Sequence, residues 1–190
     1  WRADGDKFNR IWEDRWIRYE AYNKFMLEAI AGLLKKYKLN IKDFAKVIIP
    51  CIYLREHQGM TKAMQLDPKQ VQQEMLTTVG DTGTANSLMM LVAALEDAKP
   101  GDKIIVASYG NGADALFFQV TEHIEKVRNR REIKKHLPSK KELTNYERYS
   151  SFRDIIPMEM GLRGEVGWTR VSMMWRERKK NLALYGAKCK

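Results

Sequence analysis

From Leu88 to Leu95 every residue is apolar, and the run SLMMLVAALEDA (Ser87–Ala98) predicts a helix without a polar stripe. A helix that is hydrophobic all round is a buried helix. At about 15 residues, closed by Glu96 and Asp97, it is shorter than the roughly 20 that cross a bilayer. Ahead of it, VGDTGTAN reads as a strand end at Val79 and a polar, Gly-rich turn, with the helix beginning near Thr84. Asp81 or Thr82 can cap that helix by accepting a backbone N–H bond. The positive end of its dipole then faces whatever lies before the turn. Behind it, Lys99-Pro100-Gly101-Asp102 is turn chemistry. Two β-rich runs follow, Ile104–Ser108 and Ala115–Val120, separated by Gly110-Asn111-Gly112. They predict antiparallel neighbours, and a buried helix in this setting implies sheets on both sides.

Upstream, residues 6–38 carry helical spacing, with Phe8, Ile11, Trp12 and Trp16 in one stripe and Ala21, Phe25, Ile30, Leu33 and Leu34 continuing it. Lys42–Ile49 predicts a strand that Pro50 ends. A helix around His57 runs to near Leu66. From His123 the composition becomes charged and helical. Pro138 separates a first helix from a second that carries Leu143, Tyr146, Tyr149 and Phe152. The reading is an α/β chain, residues 1–125, followed by a mostly helical basic extension, residues 126–190.

Charge sharpens that division. Residues 131–190 hold 15 Lys and Arg against 7 Asp and Glu, which is +8 of the net +10. The plainest account is a solvated helical surface; an acidic partner or coenzyme A phosphates are alternatives. No recognised nucleic-acid module accompanies the charge, so nucleic acid is not an expected partner. Hydrophobic content of 44% is ordinary for a globular domain. No run resembles a signal peptide or a spanning helix, so no membrane role and a cytoplasmic address are expected. Cys51 and Cys189 stand too far apart in kind to suggest a disulfide framework. The chain opens on Trp1 rather than Met, which suggests a processed or incompletely sequenced chain, and closes as abruptly on Gly-Ala-Lys-Cys-Lys.

The stretch from Val79 to Leu116, with Gly80-Asp81-Thr82 before the apolar helix and Ser108-Tyr109-Gly110-Asn111-Gly112 after it, resembles the C-terminal half of hydroxymethylglutaryl-CoA synthases and related enzymes of the thiolase superfamily. The two turns at this separation carry the resemblance. It implies the C-terminal half of a thiolase-like layered fold. It also implies an acyltransferase that makes or breaks carbon–carbon bonds by Claisen-type chemistry on a coenzyme A thioester. The nucleophilic Cys of such enzymes lies in an N-terminal half, so that half or a subunit carrying it is an implied partner, and an oligomer is expected. The ending LALYGAKCK resembles the opening of the zinc-ribbon and OB-fold domains that accompany thiolase-like proteins, with Cys189 as first ligand. A closed zinc site needs four ligands, so zinc is expected only if the chain continues past Lys190.

The resemblance also marks two departures. Its catalytic His would stand at the strand end, where this chain has Ile48-Ile49-Pro50-Cys51-Ile52. His57 is the nearest substitute as a displaced base, or else a His on a helix surface. Cys51 reads as a small buried residue. The catalytic Asn falls at Asp81, and an ionised Asp cannot donate the hydrogen bond an amide gives. Asp81 is therefore a base, an acid in an altered site, or only a helix cap. The resemblance places Gly80, Thr82, Tyr109, Gly110, Asn111 and Gly112 against the acyl thioester, where close backbone N–H groups could meet a developing oxyanion. Asn111-Gly112 is equally a strong hairpin signal, and Ser108 could act as a weak proton donor. With both catalytic positions changed, the competing reading is a degenerate scaffold that binds acyl-CoA or an active thiolase-like partner.

Overall fold

A three-stranded sheet in the order β1-β2-β3 carries the first of two units, Trp1–Lys141. The computed structural model describes residues 2–127, 132–157 and 171–179. β1 (Lys46–Ile48) lies parallel to β2 (Lys103–Gly110), with Lys46 opposite Ile104 and Ile48 opposite Val106. β2 turns directly into antiparallel β3 (Gly112–Gln119), and Gly110 faces Gly112 across the turn. Gly112 holds φ +115°, a conformation L side chains rarely adopt. The hairpin expected from the Gly-x-Gly spacing is present.

Alternation along the strands divides the core in two. Val47, Ile49, Ile105 and Ala107 pack with Tyr22, Met26, Ile30, Phe44 and Met60. The opposite face, Ile48, Ile104 and Val106, packs with Met75, Met90, Ala94, Ala98 and Val120. The first cluster rests under α1 (Lys24–Tyr37) and α2 (Leu54–Ala63); the second rests under α3 (Asn86–Asp97). A period of two in the strands meets a period near 3.6 in the helices: Met90 and Ala94 of α3 are one turn apart and both buried.

Several sequence expectations change. The helical spacing from residue 6 yields regular helix only at Asp14–Trp16, which continues through a π-helical stretch, Ile17–Asn23, into α1. Phe8, Ile11, Trp12 and Trp16 are exposed, so their spacing is not a core stripe. The expected strand at Lys42–Ile49 begins instead with a 3-10 turn, Ile41–Asp43, set by Asn40 accepting the Lys42 N–H at 3.0 Å. Val79 belongs to a turn, not a strand end; the segment before it touches the sheet through one parallel bridge, Val71 to Val47. Neither Asp81 nor Thr82 caps α3, because a 3-10 turn, Gly83–Ala85, intervenes. Nor does a second sheet cover α3 among the described residues: Leu88 is 64% exposed and Val92 40%.

The second unit, Glu142–Lys190, shows helices at Tyr146–Phe152 and Val171–Arg176. Asn145 caps the former by accepting the Arg148 N–H at 3.0 Å. No helix of the described residues is long and apolar enough to cross a membrane.

Met90 is fully buried between α3 and the sheet. Replacing it with Ala removes its contacts and leaves a cavity, which costs about 2–5 kcal/mol. Urea unfolding of the protein assembled with its N-terminal half should show a loss of that size for Met90→Ala with little change in slope.

Candidate functional site

The carboxyl ends of β1 and β2 and the N-terminus of α3 meet at one end of the sheet. That is where open α/β sheets bind ligands. A cavity of about 590 Å³ opens there. Three segments far apart in sequence form it: Pro50–Tyr53 after β1, residues of the 81–87 turn and first helical turn, and Ser108–Gly110 at the end of β2. Ile17 and Tyr22 close it from the N-terminal helix, Ile11 from the segment before it, and Asp114 reaches it from β3. Tyr22 and Ile17 belong to the π-helical stretch, a distortion found frequently at functional sites.

One wall is polar. Asp81 Oδ1 accepts the Gly83 N–H at 2.8 Å, which fixes the carboxylate plane within the turn. Ser87 Oγ donates to Ser108 Oγ at 2.9 Å, joining α3 to β2 and leaving the Ser108 proton for another acceptor. Asp114 stands opposite Ser108 in the strand register, so the two share a face. Asn86, first residue of α3, lines the cavity and is only 6% exposed. The α3 dipole brings partial positive charge to this wall.

The other wall is apolar in front and ionisable behind. Pro50 and Ile52 face the cavity with Ile11 and Ile17. Tyr22 donates to the Pro50 carbonyl at 3.1 Å, and its ring meets Tyr109 edge-on with centroids 5.7 Å apart. Burial pushes the Tyr22 hydroxyl far up, so it remains a donor. Cys51 is free and buried; its thiol donates to the Tyr53 carbonyl at 3.2 Å and accepts the Tyr53 N–H at 3.3 Å. Burial raises that thiol as well, which keeps it protonated and a poor nucleophile. Tyr53 donates to Asp14, and Arg18 bridges Asp14 at 2.9 Å and buried Glu56 at 3.1 Å. These contacts hold the N-terminal helix over the cavity.

Behind Cys51 lies a half-buried acid and base. Glu74 Oε1 accepts the Cys51 N–H at 3.1 Å and stands 3.8 Å from His57 Nε2. Burial pushes the Glu74 carboxyl up to about 7 and pulls the His57 imidazole down. Each shift comes from desolvation of the charged form.

Among the residues that the sequence marks, Asp81, Tyr109 and Gly110 line the cavity. Gly80, Thr82, Asn111 and Gly112 do not, and the Thr82 hydroxyl is buried without a hydrogen-bond partner among the described residues. His57 sits behind the wall, against Glu74, not in the cavity. Cys189 lies outside the described residues. No three His, Cys, Asp or Glu side chains gather to hold a metal among the residues described. Asn86, Ser87 and Asp114 escaped the sequence reading. A polar pair at the head of an otherwise apolar helix was the available signal for the first two. Nothing local marked Asp114.

Glu74 gives a signed pH prediction. Its folded-state carboxyl titrates about 7, above the unfolded value of about 4.3. The folded state therefore holds its proton longer, and stability falls as pH rises between those values, by up to about 3 kcal/mol. Half-buried His57 acts oppositely, losing stability as pH falls below its ordinary value. The difference between Glu74→Gln and the parent isolates the acid. The variant should gain relative stability from pH 4.5 to 7 and hold it above 7 in urea titrations.

Comparison with known proteins agrees with this architecture. The sequence profile described as 3-oxoacyl-[acyl-carrier-protein (ACP)] synthase III C terminal matches residues 34–117. A hydroxymethylglutaryl-CoA synthase of Methanopyrus kandleri is 31% identical over 156 residues, 80% of this chain and 44% of the relative. The structure of 3-oxoacyl-[acyl-carrier-protein] synthase III from Aquifex aeolicus superposes with TM-score 0.55 at 20% identity, over 62% of this chain and 39% of its own. That of the Pseudomonas aeruginosa 3-oxoacyl-(acyl carrier protein) synthase III gives TM-score 0.55 at 13% identity, over 64% and 39%. The chain thus spans less than half the length of these proteins. At such identities the two structures bear on the fold alone, which is thiolase-like; the profile and the synthase relative carry the likeness to the thiolase superfamily.

Proposed function

We propose that this chain is the C-terminal, acyl-binding part of a thiolase-like acyltransferase. It would work on coenzyme A thioesters by the carbon–carbon bond chemistry of hydroxymethylglutaryl-CoA synthase-like enzymes. The observation that carries the reading is the convergence of Pro50–Tyr53, Asp81–Ser87 and Ser108–Gly110 on one cavity at the strand ends. Its apolar wall suits an acyl chain. Its polar wall offers a carboxylate and hydroxyls to the reacting end. Claisen-type chemistry removes a proton beside a thioester carbonyl, and the resulting enolate attacks a second carbonyl carbon.

In this reading Asp81 is the group placed to exchange that proton. Its Oδ1 is committed to Gly83, and the side chain is exposed. His57 acts at one remove, through Glu74 and the Cys51 backbone. The nucleophile comes from a preceding N-terminal half or a partner subunit. The relatives' greater length and the bare Leu88–Val92 face of α3 both favour such a cover. A zinc-ribbon and OB-fold domain following Cys189, and a cytoplasmic address, complete the proposal. Zinc itself would need ligands beyond Lys190. The degenerate-scaffold alternative shares the cavity and differs only in lacking turnover.

Two measurements test this. Asp81→Ala removes one turn hydrogen bond, worth about 0.5–1.5 kcal/mol. Turnover by the assembled enzyme should fall at least ~100-fold, the scale of general acid–base catalysis. Equal turnover per folded molecule would leave Asp81 a turn residue. Residues 1–190 expressed alone should aggregate or stay molten. Leaving large apolar side chains bare forfeits roughly 1.5–3 kcal/mol each. Co-expression with an N-terminal thiolase-like half should make them soluble. A monodisperse, cooperatively unfolding monomer of this chain alone would sink the required partner.

A further inference from the structure

Behind the cavity wall, Glu74 Oε2 and His57 Nε2 are each shut off from solvent, and neither makes a hydrogen bond among the described residues. Buried polar atoms in native proteins are overwhelmingly hydrogen-bonded, so two orphans side by side call for an explanation. The other carboxyl oxygen, Oε1, accepts the Cys51 N–H at 3.1 Å and lies 3.8 Å from the same imidazole nitrogen. That gap is within about 1 Å of hydrogen-bond reach. A carboxylate oxygen and an unprotonated imidazole nitrogen are both acceptors. One proton placed on Oε2 turns the two orphans into a donor and an acceptor.

The surroundings favour that proton. Burial pushes the Glu74 carboxyl up to about 7, and it outweighs the Cys51 N–H, which favours the ionised form. Burial also favours neutral His57, which leaves one ring nitrogen free to accept. The neighbouring carboxylate of α2, Glu56, is bound to Arg18 of the π-helical stretch. Tyr22 of the same stretch and Cys51 of the strand end lie within electrostatic reach of Glu74, and burial keeps both protonated. The Tyr53 hydroxyl is turned to Asp14. None of these contacts brings a cation to Glu74.

Resting on the acyl-CoA reading above, we propose that Glu74 is a positioning residue whose Oε2 proton, donated to His57 Nε2, closes a brace that sets the Pro50–Tyr53 wall for the acyl chain. The brace acts through the backbone, because Oε1 holds the Cys51 N–H and Cys51 lines the cavity. Loss of the proton leaves a desolvated carboxylate with a single backbone donor. The carboxylate then turns toward water, and Pro50–Tyr53 loses its anchor from behind. The seat for the acyl chain is firm below about pH 7 and slack above it.

Glu74→Gln tests this, because an amide accepts from the Cys51 N–H, donates to His57 Nε2 and has no proton to lose in this range. Calorimetric titration of the assembled protein with butyryl-CoA should show the parent losing affinity about tenfold from pH 6 to 8.5, the scale of one hydrogen bond. Glu74→Gln should hold its affinity over the same range, and titration of the coenzyme phosphates affects both proteins alike. Hydrogen exchange read by mass spectrometry needs no ligand. Above pH 7 the peptide spanning Pro50–Tyr53 should exchange faster in the parent than in Glu74→Gln, by more than the β2–β3 hairpin does. Equal exchange of that peptide in both proteins at every pH overturns the brace. So does an excess shared evenly with the hairpin, or a butyryl-CoA affinity that falls equally in both proteins or in neither. Binding of butyryl-CoA by neither protein overturns the acyl-CoA reading, and the exchange comparison then decides the brace alone.

Discussion

The parallel pairing of β1 with β2 is the constraint on which the site depends. Three residue pairs, from Lys46–Ile104 to Ile48–Val106, set where β1 stops relative to β2. That register brings Pro50–Tyr53 level with Ser108–Gly110. Because the strands are parallel, the chain must cross between them, and the crossing carries α3, whose N-terminus arrives at the same end of the sheet. A shift of one residue in this pairing would turn Val47 and Ile48 to each other's faces. Both core clusters would then lose their contacts together with the cavity wall.

Around that frame the chain separates duties between the sheet's two faces. On one, Tyr22, Cys51, Glu74 and His57 tie the strand end backward by long-range hydrogen bonds and a close ionisable pair. On the other, the Ser87–Ser108 bond ties the helix to β2. The cavity is thus braced from behind, and its front is left for Asp81, Asn86 and Ser108. The two positions at which the chain departs from the hydroxymethylglutaryl-CoA synthase pattern both fall on this boundary. Pro50-Cys51 closes the strand end without an imidazole, and His57 lies behind the wall against Glu74.

What the sequence made legible were features encoded by neighbours. The apolar run of α3 and the Gly110–Gly112 hairpin follow from local period and turn chemistry, and the structure has both. The helix start at Asn86, instead of Thr84, and the turn at Val79 depend on how Gly83–Ala85 tightens, which pattern alone does not specify. The Phe8–Trp16 stripe had helical spacing without a surface to bury against. Within the site, Asp81, Tyr109 and Gly110 were legible because each lies in a marked turn. The contacts of Glu74 with Cys51 and of Tyr22 with Pro50 join segments 23 and 28 residues apart, and no spacing rule reaches them. His57 shows the same limit: its residue type was visible, and the direction in which α2 turned it was not.

The short length of β1 has a kinetic meaning. The β2–β3 hairpin joins adjacent residues through a tight turn, and such local pairings close on the microsecond scale. β1 must find β2 across the whole intervening stretch, so its docking waits on a much larger loop closure. Contacts of that kind slow folding. The wall Pro50–Tyr53 exists only once β1 has docked. Of the pairings that build the site, the docking of β1 closes the largest loop, so any state in which it is undone keeps the helix and hairpin with no place to hold a ligand.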